Sequence, residues 1–559
     1  MLVDCQTLTT GSEVEVDVCV VGAGPAAISL ALALDASAVR VALFERGGLP
    51  GRPHGLTKIG AQPVDSDFDP PVVPDGRFGG GANEWIVRLP WNSRGVRMVP
   101  LMPADLEARP WVEHSGWPLE WSELERFYRR AHGQLGLDRF GYTVADWEDA
   151  AHPRLPLEPF GFTTAMERFP HSTVLTGQAF DTLRRSRNVT IHLHGSVGAI
   201  DGDADRVRYA EIDAGGRDRL RVTAQVFVLA AGGLDNPRLL LAARSGAGYG
   251  NTHDVVGRYY MDHLRVRTGS LVPHWPTERY GLYDLHRVGH VMVMGKLTPT
   301  NELLRTEALL NSGAMILPTL PDDVRADMAI ARSLIGSPSW SAARAAARVA
   351  RVIGPIGPRM SWYQRRFPPR VDAGWSRLGR ATQRFGPFSV EHQIEQAPDP
   401  HNRVVLGQRH DEHGRSTLDI CWRWGDLDLQ SLRATQHRFA AACAAAGIGE
   451  FLPAGVDESL DVTTPGGSFH PSGGTRMHDD PKRGVTDHDG RVHGVANLFV
   501  AGSSTFPTVG YANPTFTIVA LAIRLAQTLR RELGASIAVD GASGSAPTPV
   551  DTTRPSPAR

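Results

Sequence analysis

The sequence predicts an α/β protein whose first domain has a doubly wound, Rossmann-like fold. An apolar run, Val16–Val21, leads into the glycine-rich turn Gly22–Pro25 near the N-terminus. The apolar, helix-forming stretch Ala26–Leu34 follows, and then a second β-rich run, Val39–Phe44, which ends at Glu45. Strand, turn, helix and strand in this order are typical of a βαβ unit in a parallel sheet.

The turn itself carries a dinucleotide-binding fingerprint. Gly22-Ala23-Gly24-Pro25-Ala26-Ala27 matches the pattern G-x-G-x-x-A. Gly22 allows a sharp turn, Gly24 lets the backbone approach a pyrophosphate, and the small Ala27 lets the helix pack closely on the sheet. Glu45 stands 21 residues after Gly24, where a carboxylate can hold a ribose diol. The unit predicts a dinucleotide cofactor but does not separate FAD from NAD.

The length of the chain and the positions of further apolar runs predict a discontinuous first domain. A chain of 559 residues is too long for one core of ordinary size. Strands are expected at Val189–Leu193, Val222–Leu229 and Asn497–Ala501, and a long apolar helix over Pro514–Leu529. We expect the FAD-binding or NAD-binding domain over residues 1–50, 175–260 and 463–535, a cap and loop region over 51–174, and a sheet-based α+β substrate domain over 261–462.

Three segments depart from this pattern. Gly51–Gly81 is rich in Gly and Pro and is expected to be irregular loop. The Arg/Ala-rich insertion at about 322–370 is expected to be a solvated helical hairpin, with a lid, an oligomer contact or a surface-binding arm as alternatives. The tail, 536–559, is rich in Ser, Pro, Ala and Thr and is expected to be disordered.

Composition and charge exclude several classes of function. The formal net charge of −1 gives no reason to expect nucleic acid or an anionic membrane as a partner. The four cysteines show no CxxC spacing and the histidines no HExxH spacing, so no metal is predicted. Because no secretory signal and no apolar run of about 20 residues is present, a cytoplasmic protein without a membrane span is expected.

Four further motifs separate the possible cofactors. They are Gly79-Gly80-Gly81-Ala82-Asn83-Glu84-Trp85, Ala230-Ala231-Gly232-Gly233-Leu234-Asp235-Asn236-Pro237-Arg238, Phe469-His470-Pro471-Ser472-Gly473-Gly474-Thr475-Arg476-Met477, and Gly510-Tyr511-Ala512-Asn513-Pro514-Thr515 after the strand at Asn497–Ala501. With the fingerprint they resemble the glucose-methanol-choline (GMC) family of FAD-dependent oxidoreductases. The C-terminal motifs are most similar to those of sugar-oxidising members such as pyranose oxidase. The resemblance covers both ends and the region near residue 230, and is weak in the middle.

The resemblance implies a catalytic pair and a set of cofactor-binding residues. His470 and Asn513 match the catalytic residues of the family. In relatives with covalently bound flavin a histidine stands where this chain has Glu84, so noncovalent FAD is expected. The residues implied to bind FAD are Gly22, Gly24, Ala27, Glu45, Gly80, Gly81, Asn83, Val197, Ala231, Gly232, Gly502, Ser503, Pro514 and Thr515.

The side chains of the pair suit the oxidation of an alcohol. A neutral imidazole can take the hydroxyl proton while the carbon-bound hydrogen leaves as hydride to flavin N5. An amide can donate a hydrogen bond to the developing alkoxide. Two other interpretations stay open: His470 as a loop residue that caps a turn, and Asn513 as the N-cap of the last helix, with Pro514 in its first turn. Asp262–His263 and Glu391–His392 are expected to be structural, although either histidine could be the base instead of His470.

The predicted function is FAD-dependent oxidation of a sugar, a glycoside or an aminoglycoside-like polyol. A sterol or other apolar alcohol is the first alternative. An NAD(P)H-dependent flavin monooxygenase and a non-catalytic flavin-binding partner protein are the others. The sequence leaves open which carbon is oxidised, whether oxygen or another molecule accepts the electrons, and whether the protein is a homo-oligomer.

Overall fold

The computed structural model describes most of the chain. The described residues are 1–50, 61–66, 76–85, 87–89, 94–215, 219–243, 248–332, 339–353, 374–377, 384–411, 415–454 and 470–534. The predicted disordered tail, 536–559, and residues 354–370 of the Arg/Ala-rich insertion lie outside them.

Three separated parts of the chain build one eight-stranded sheet, called here the first sheet. Six of its strands are parallel, in the order Leu2–Asp4, Val189–Leu193, Val41–Phe44, Glu13–Val21, Arg219–Leu229 and Leu498–Val500. Two antiparallel strands, Arg206–Asp213 and Ser196–Asp203, continue from the first half of Arg219–Leu229. The prediction of an α/β fold with a Rossmann-like sheet is therefore confirmed.

Helices cover the first sheet because both faces of its parallel strands are apolar. The strand Val41–Phe44 is buried throughout, as expected for a parallel strand between two layers. The helices Pro25–Leu34 and Thr515–Glu532 pack against each other, and Trp121–Gln134 packs on Thr515–Glu532. Their buried side chains form one core with the sheet. These three helices cover one face of the sheet, and the parallel strands all end at the same edge.

The middle of the chain builds a seven-stranded antiparallel sheet, called here the second sheet. Its strands run in the order His286–Val288, Val291–Pro299, Ser312–Pro318, Phe388–Ile394, Leu264–Pro273 and Gly449–Pro453, and Phe162–Arg168 also pairs with Val291–Pro299. The helix Asp426–Ala445 covers one face, where Phe439 enters an apolar core with Val390 and Ile316. The opposite face of the second sheet is turned toward the first sheet, where Gln393 donates to the Tyr511 carbonyl oxygen.

Phe162–Arg168 and Ala61–Ser66 are among the strands that the sequence did not predict. Phe162–Arg168 belongs to the second sheet, although it lies within the predicted cap region. Ala61–Ser66 is a strand within the predicted loop and pairs with Ser416–Trp422, which pairs in turn with Arg403–His410. Because Ala61–Ser66 has no apolar alternation of its own, pairing with a distant segment determines its conformation.

Shorter elements connect these layers. Over the described residues the remaining α-helices are Pro103–Leu106, Ala179–Leu183, Asp235–Leu241, Asn301–Thr306, Asp322–Arg332 and Trp340–Ile353. The remaining strands in the same ranges are Val87–Arg88 and Arg94–Gly95. Asp322–Arg332 and Trp340–Ile353 pack on each other, joined by an ion pair between Asp327 and Arg348. Over its described residues the Arg/Ala-rich insertion is the expected helical hairpin.

Among the described residues no helix has the length and apolar character needed to cross a membrane. In the same part of the chain no three His, Cys, Asp or Glu side chains are grouped so that they could hold a metal ion.

The loop that enters the second sheet yields a stability prediction. Gly257 has φ +85°, and a Cβ there would lie 2.1 Å from the Val404 carbonyl oxygen. Gly447 has φ +64° with no atom within 4 Å of an added Cβ. Gly447→Ala should therefore cost only the left-handed backbone strain of about 1–2 kcal/mol, and Gly257→Ala clearly more. Denaturant unfolding of both variants measures the difference, and equal losses would contradict this account of the loop.

Candidate active site

A cleft lies at the edge where the parallel strands of the first sheet end. Such an edge is where open α/β sheets bind ligands, because loops and helix N-termini converge there. The cleft encloses about 1030 Å³, part of it open to solvent. Ten of the residues implied to bind a cofactor line it: Gly22, Gly24, Glu45, Gly80, Gly81, Val197, Ala231, Gly232, Gly502 and Ser503.

The other four residues of that set do not line the cleft. Ala27 is fully buried within its helix, which agrees with a packing role. The Asn83 side chain donates from Nδ2 to the Phe78 carbonyl oxygen at 3.1 Å. Pro514 and Thr515 begin the last long helix, and Ile518, further along it, lines the cleft in their place.

The glycines of the cleft fit a pyrophosphate. A Cβ added to Gly24 or to Gly232 would have no atom within 4 Å, so both positions leave room for a ligand. A Cβ on Gly22, which has φ +100°, would lie 2.6 Å from the Ala230 carbonyl oxygen, so this glycine is needed for strand packing. No side chain caps the helix that begins at Pro25, and its first N–H groups remain available to an anion.

Glu45 lies buried at the side of the cleft. Its two carboxylate oxygens accept hydrogen bonds from the backbone N–H groups of Ala23 (3.0 Å) and Gly47 (3.1 Å). Burial raises the pKa of Glu45, and these hydrogen bonds act in the opposite direction. A carboxylate has about four acceptor sites, so the fixed Glu45 side chain can still accept from a ribose hydroxyl.

Three arginines line this cleft that are not among the predicted cofactor-binding residues: Arg46, Arg238 and Arg415. Arg238 donates from Nε to Asp235 Oδ1 at 2.7 Å. The i, i+3 spacing of these two residues, directly after a glycine-rich turn, could have indicated an ion pair beside the cleft. Arg415 bonds to the Ser196 hydroxyl. No local signal could place Arg415 here, because tertiary packing brings it from the predicted substrate domain.

His470 directly precedes Pro471, which lines the cleft. Its backbone N–H donates to Asp262 Oδ1 at 3.0 Å. Its ring Nε2 is 3.3 Å from Asn513 Nδ2, and its Nδ1 is 3.0 Å from Nδ1 of His263. Asp262–His263, expected to be structural, thus contacts the predicted base directly.

Burial lowers the pKa of His470 well below its ordinary value, and neighbouring groups that can carry a positive charge lower it further. Those groups are His263, Lys296 and Arg97. The carboxyl of Asp262 beside it is buried, and burial raises the pKa of that group to about 7. His470 is therefore a neutral imidazole at neutral pH, the form that a base requires.

Asn513 does not cap the last helix. That helix begins at Thr515, with Pro514 at its N-cap position and no side-chain cap hydrogen bond. Asn513 Oδ1 instead accepts from Gln393 Nε2 at 3.1 Å, while Nδ2 faces His470. The helix-cap interpretation is wrong, because a long-range hydrogen bond takes the oxygen that a cap would use.

The strand Phe388–Ile394 separates its side chains by alternation. Gln393 is on the face toward Asn513. His392, on the opposite face, shares a hydrogen bond of 2.7 Å with the Thr268 hydroxyl and packs edge-on against Phe439. Burial lowers its pKa to about 3. His392 is therefore a core residue and contacts neither His470 nor Asn513.

A buried set of charged side chains continues from Gln393 across the second sheet, called here the charged face. Lys296 Nζ lies 3.5 Å from Glu167 Oε1, and Arg265 Nε donates to Glu391 Oε2 at 2.9 Å. Lys296 also lies 5.2 Å from the centre of the Tyr511 ring, two residues before Asn513. Burial lowers the pKa of Lys296 to about 8. The His470–Asn513 pair thus lies between the glycine-lined cleft and a polar, charged wall.

Comparison with known families agrees with this geometry. Residues 398–522 match the family model described as GMC oxidoreductase, in its C-terminal part. This part of the chain is a GMC oxidoreductase domain. It contains both His470 and Asn513, and the match confirms the family that the separated motifs predicted.

Curated relatives match this chain over parts of their length. The fructose dehydrogenase large subunit of Gluconobacter japonicus is 26% identical over 319 residues, which are 56% of this chain and 48% of that protein. The C-glycoside 3-oxidase of Arthrobacter globiformis is 33% identical over 129 residues, 23% and 24% of the two chains. The paromamine 6'-oxidase of Streptomyces fradiae is 32% identical over 147 residues, 26% of each. The chain thus spans half or less of the length of these relatives.

A solved structure shares the fold over nearly the whole chain. The pyridoxine 4-oxidase from Mesorbium loti superposes with a TM-score of 0.50 and 17% identity, covering 92% of this chain and 99% of that one. At this level of identity the similarity extends to the fold alone.

The open space at Gly24 gives a test of the cleft. Gly24→Val should leave the protein folded but without flavin, because the new side chain would fill the space where the backbone meets a pyrophosphate. Flavin absorbance per polypeptide and a thermal unfolding curve measure the two properties. Gly133→Val is the matched control, since an added Cβ there also meets no atom within 4 Å and Gly133 does not line the cleft. Normal flavin content in Gly24→Val would show that the fingerprint is misinterpreted.

Proposed function

We propose that this protein is an FAD-dependent oxidoreductase that converts a CH–OH group of a polar polyol into a carbonyl, with His470 as the base. The observation that carries the proposal is the contact between His470 Nε2 and Asn513 Nδ2 at 3.3 Å. It lies where the glycine-lined cleft meets the charged face. A base and an amide donor at one point suit an alcohol oxygen that loses its proton.

The protein supplies the proton transfer and the orientation. His470 Nε2 takes the hydroxyl proton, and Asn513 Nδ2 donates a hydrogen bond to the same oxygen as its negative charge develops. As the O–H bond breaks, the C–O bond becomes a carbonyl and the carbon releases its hydrogen with two electrons. When bound, FAD would accept this hydride at N5 of its ring.

The charged face supports a polyol as substrate. Arg265, Glu391, Lys296 and Glu167 offer hydrogen-bond donors and acceptors in a buried setting. A sterol against this face could offer these groups no further hydrogen bonds in place of water, whereas the hydroxyls of a polyol could. The names of three partial relatives point to sugar, glycoside and aminoglycoside substrates. We therefore favour a sugar, a glycoside or an aminoglycoside-like polyol over an apolar alcohol.

Substrate class is tested by anaerobic bleaching of the bound flavin. Sugars, C-glycosides, aminoglycosides and sterols are added separately to the purified protein, and the loss of flavin absorbance is followed. Bleaching by a polyol is the expected result. Bleaching only by sterols would overturn the substrate class, and bleaching by NADPH alone would favour a flavin monooxygenase.

Noncovalent attachment of FAD gives a second prediction. Glu84, at the position where covalent relatives have histidine, is exposed and lies 4.0 Å from Arg77, and a carboxylate offers no ring nitrogen for attachment. Acid precipitation of the protein should release the yellow colour into the supernatant. Flavin that remains with the pellet would contradict noncovalent binding.

Substitution of the pair gives a third prediction. His470→Ala should slow anaerobic flavin reduction by about 10²–10⁴-fold, the usual contribution of a positioned base. Asn513→Ala should slow it by about 10²–10³-fold, the usual contribution of one donor to an oxyanion. Flavin content should stay normal in both. Rapid-mixing absorbance measures the rates, and His401→Ala, whose side chain is 89% exposed, is the control. A near-normal rate in His470→Ala would place the base elsewhere.

The lowered pKa of His470 predicts an unusual pH profile. The neutral form is the active one, and it persists until the pH falls below the lowered folded-state pKa. The reduction rate should therefore stay flat from about pH 8 down to about pH 6.5, the ordinary histidine value, and fall only in more acidic solution. The groups that lower this pKa are His263, Lys296 and Arg97, and Asp262 faces His470 through the hydrogen bond from its backbone N–H. A midpoint at or above about 6.5 would show that this burial is misjudged.

A further inference from the structure

We propose that His263 and Gln393 are positioning residues that fix the protonation and the orientation of the His470–Asn513 pair. His263 selects the His470 tautomer whose lone pair is on Nε2, and Gln393 turns the Asn513 amide nitrogen toward that lone pair. The inference rests on the proposed function, because it presupposes that His470 is the base.

The role of His263 follows from the acceptors around its ring. Its Nε2 lies 2.8 Å from the carbonyl oxygen of Gly510, which can only accept, so Nε2 carries the hydrogen. In the neutral ring Nδ1 then has the lone pair. His470 Nδ1 lies 3.0 Å from that atom and must therefore donate to it. The hydrogen of His470 is held on Nδ1, and Nε2 is left unprotonated.

The neutral state of His263 is required for this selection. His263 is fully buried, and burial lowers its pKa to about 4. A doubly protonated His263 would donate from Nδ1 and force His470 into the opposite tautomer, with its lone pair away from Asn513. Burial of His263 therefore keeps His470 in the tautomer whose Nε2 can accept a proton at neutral pH.

The role of Gln393 follows by the same reasoning. Its Nε2 lies 2.7 Å from the Tyr511 carbonyl oxygen and 3.1 Å from Asn513 Oδ1. The carbonyl can only accept, which identifies this atom of Gln393 as the amide nitrogen rather than the oxygen. Its second hydrogen then goes to Asn513 Oδ1. Asn513 consequently presents Nδ2, the donor that an alkoxide needs.

The two carbonyl groups that orient His263 and Gln393 belong to one short segment of the chain. The carbonyl groups of Gly510 and Tyr511 are neighbours in the chain, and they fix His263 and Gln393 respectively. Gly510 has φ +53°, and a Cβ there would lie 2.6 Å from Asp105 Oδ2. Position 510 therefore has no room for a side chain, and glycine is needed for the backbone conformation of this segment.

Three substitutions of His263 separate positioning from packing. The side-chain oxygen of asparagine lies about where histidine has Nδ1, so His263→Asn keeps an acceptor for His470. The amide nitrogen of glutamine lies about where histidine has Nε2, so His263→Gln keeps only the donor to Gly510. His263→Phe keeps neither. We expect His263→Phe and His263→Gln to slow flavin reduction by about 10- to 100-fold, the usual effect of a misplaced reacting group, and His263→Asn to recover most of the loss.

The readouts are the maximal rate of anaerobic reduction by a bleaching polyol, the substrate dependence of that rate, and the flavin content. A positioning role lowers the maximal rate and leaves the half-saturating substrate concentration and the flavin content unchanged. Equal rates in the Asn and Gln variants would overturn the role of His263. If His263→Phe fails to fold, this comparison decides the question without it.

A double substitution distinguishes this inference from the proposed function. His263→Gln in a His470→Ala background should not lower the rate of flavin reduction any further, because a positioning residue acts only through the group that it positions. A full additional loss would overturn the inference. If His470→Ala alone reduces flavin at the normal rate, the proposed function fails. If it is slow while His263→Gln is normal, only the inference fails.

Gln393→Glu tests the second residue with almost no change of shape. The amide has two hydrogens for two acceptors, whereas a carboxyl group has one hydrogen or none. Asn513 must then turn its oxygen toward His470 or lose its partner. We expect reduction to slow by about 10- to 100-fold with normal flavin content. A normal rate in Gln393→Glu would overturn the role of Gln393.

Discussion

The hydrogen bonds that the Gly510–Asn513 segment makes with the second sheet hold the two halves of the site together. The segment leads into the helix Thr515–Glu532, which packs on the first sheet and lines the cleft through Ile518. Its carbonyl groups and the Asn513 side chain accept from His263 and Gln393, at the edge and on a strand of the second sheet. These contacts connect the helix that lines the glycine-lined cleft to the charged face, and they orient the His470–Asn513 pair between the two.

The parts of the fold that the sequence predicted are those encoded locally. Strand, glycine turn, helix and acid follow one another from Val16 to Glu45, so their order alone indicates their geometry. The family motifs around His470 and Asn513 are equally compact. Ala61–Ser66 and Arg415 could not be placed in this way, because partners far along the chain determine their positions.

The charged face shows why the substrate side was harder to predict than the cofactor side. Alternation along Phe388–Ile394 indicates that Glu391 and Gln393 share one face and His392 the other, but not which face is toward the site. Lys296 and Glu167 come from strands that pair only in the folded sheet. For Asn513, the local sequence also allowed a helix cap. The hydrogen bond from Gln393 that excludes the cap joins residues far apart in the chain, so the sequence could not indicate it.

The strand order of the first sheet has a consequence for synthesis. Arg219–Leu229 pairs at its carboxyl end with Leu498–Val500, which the ribosome makes some 270 residues later. Until then Phe227–Leu229 is an unprotected edge, the kind of surface on which nascent chains associate wrongly. His470 and Asn513 also emerge in this last stretch. A ribosome-bound intermediate can therefore complete the glycine turn and its helix well before it has a base, so assembly of the nucleotide site and acquisition of reactivity are separated in time.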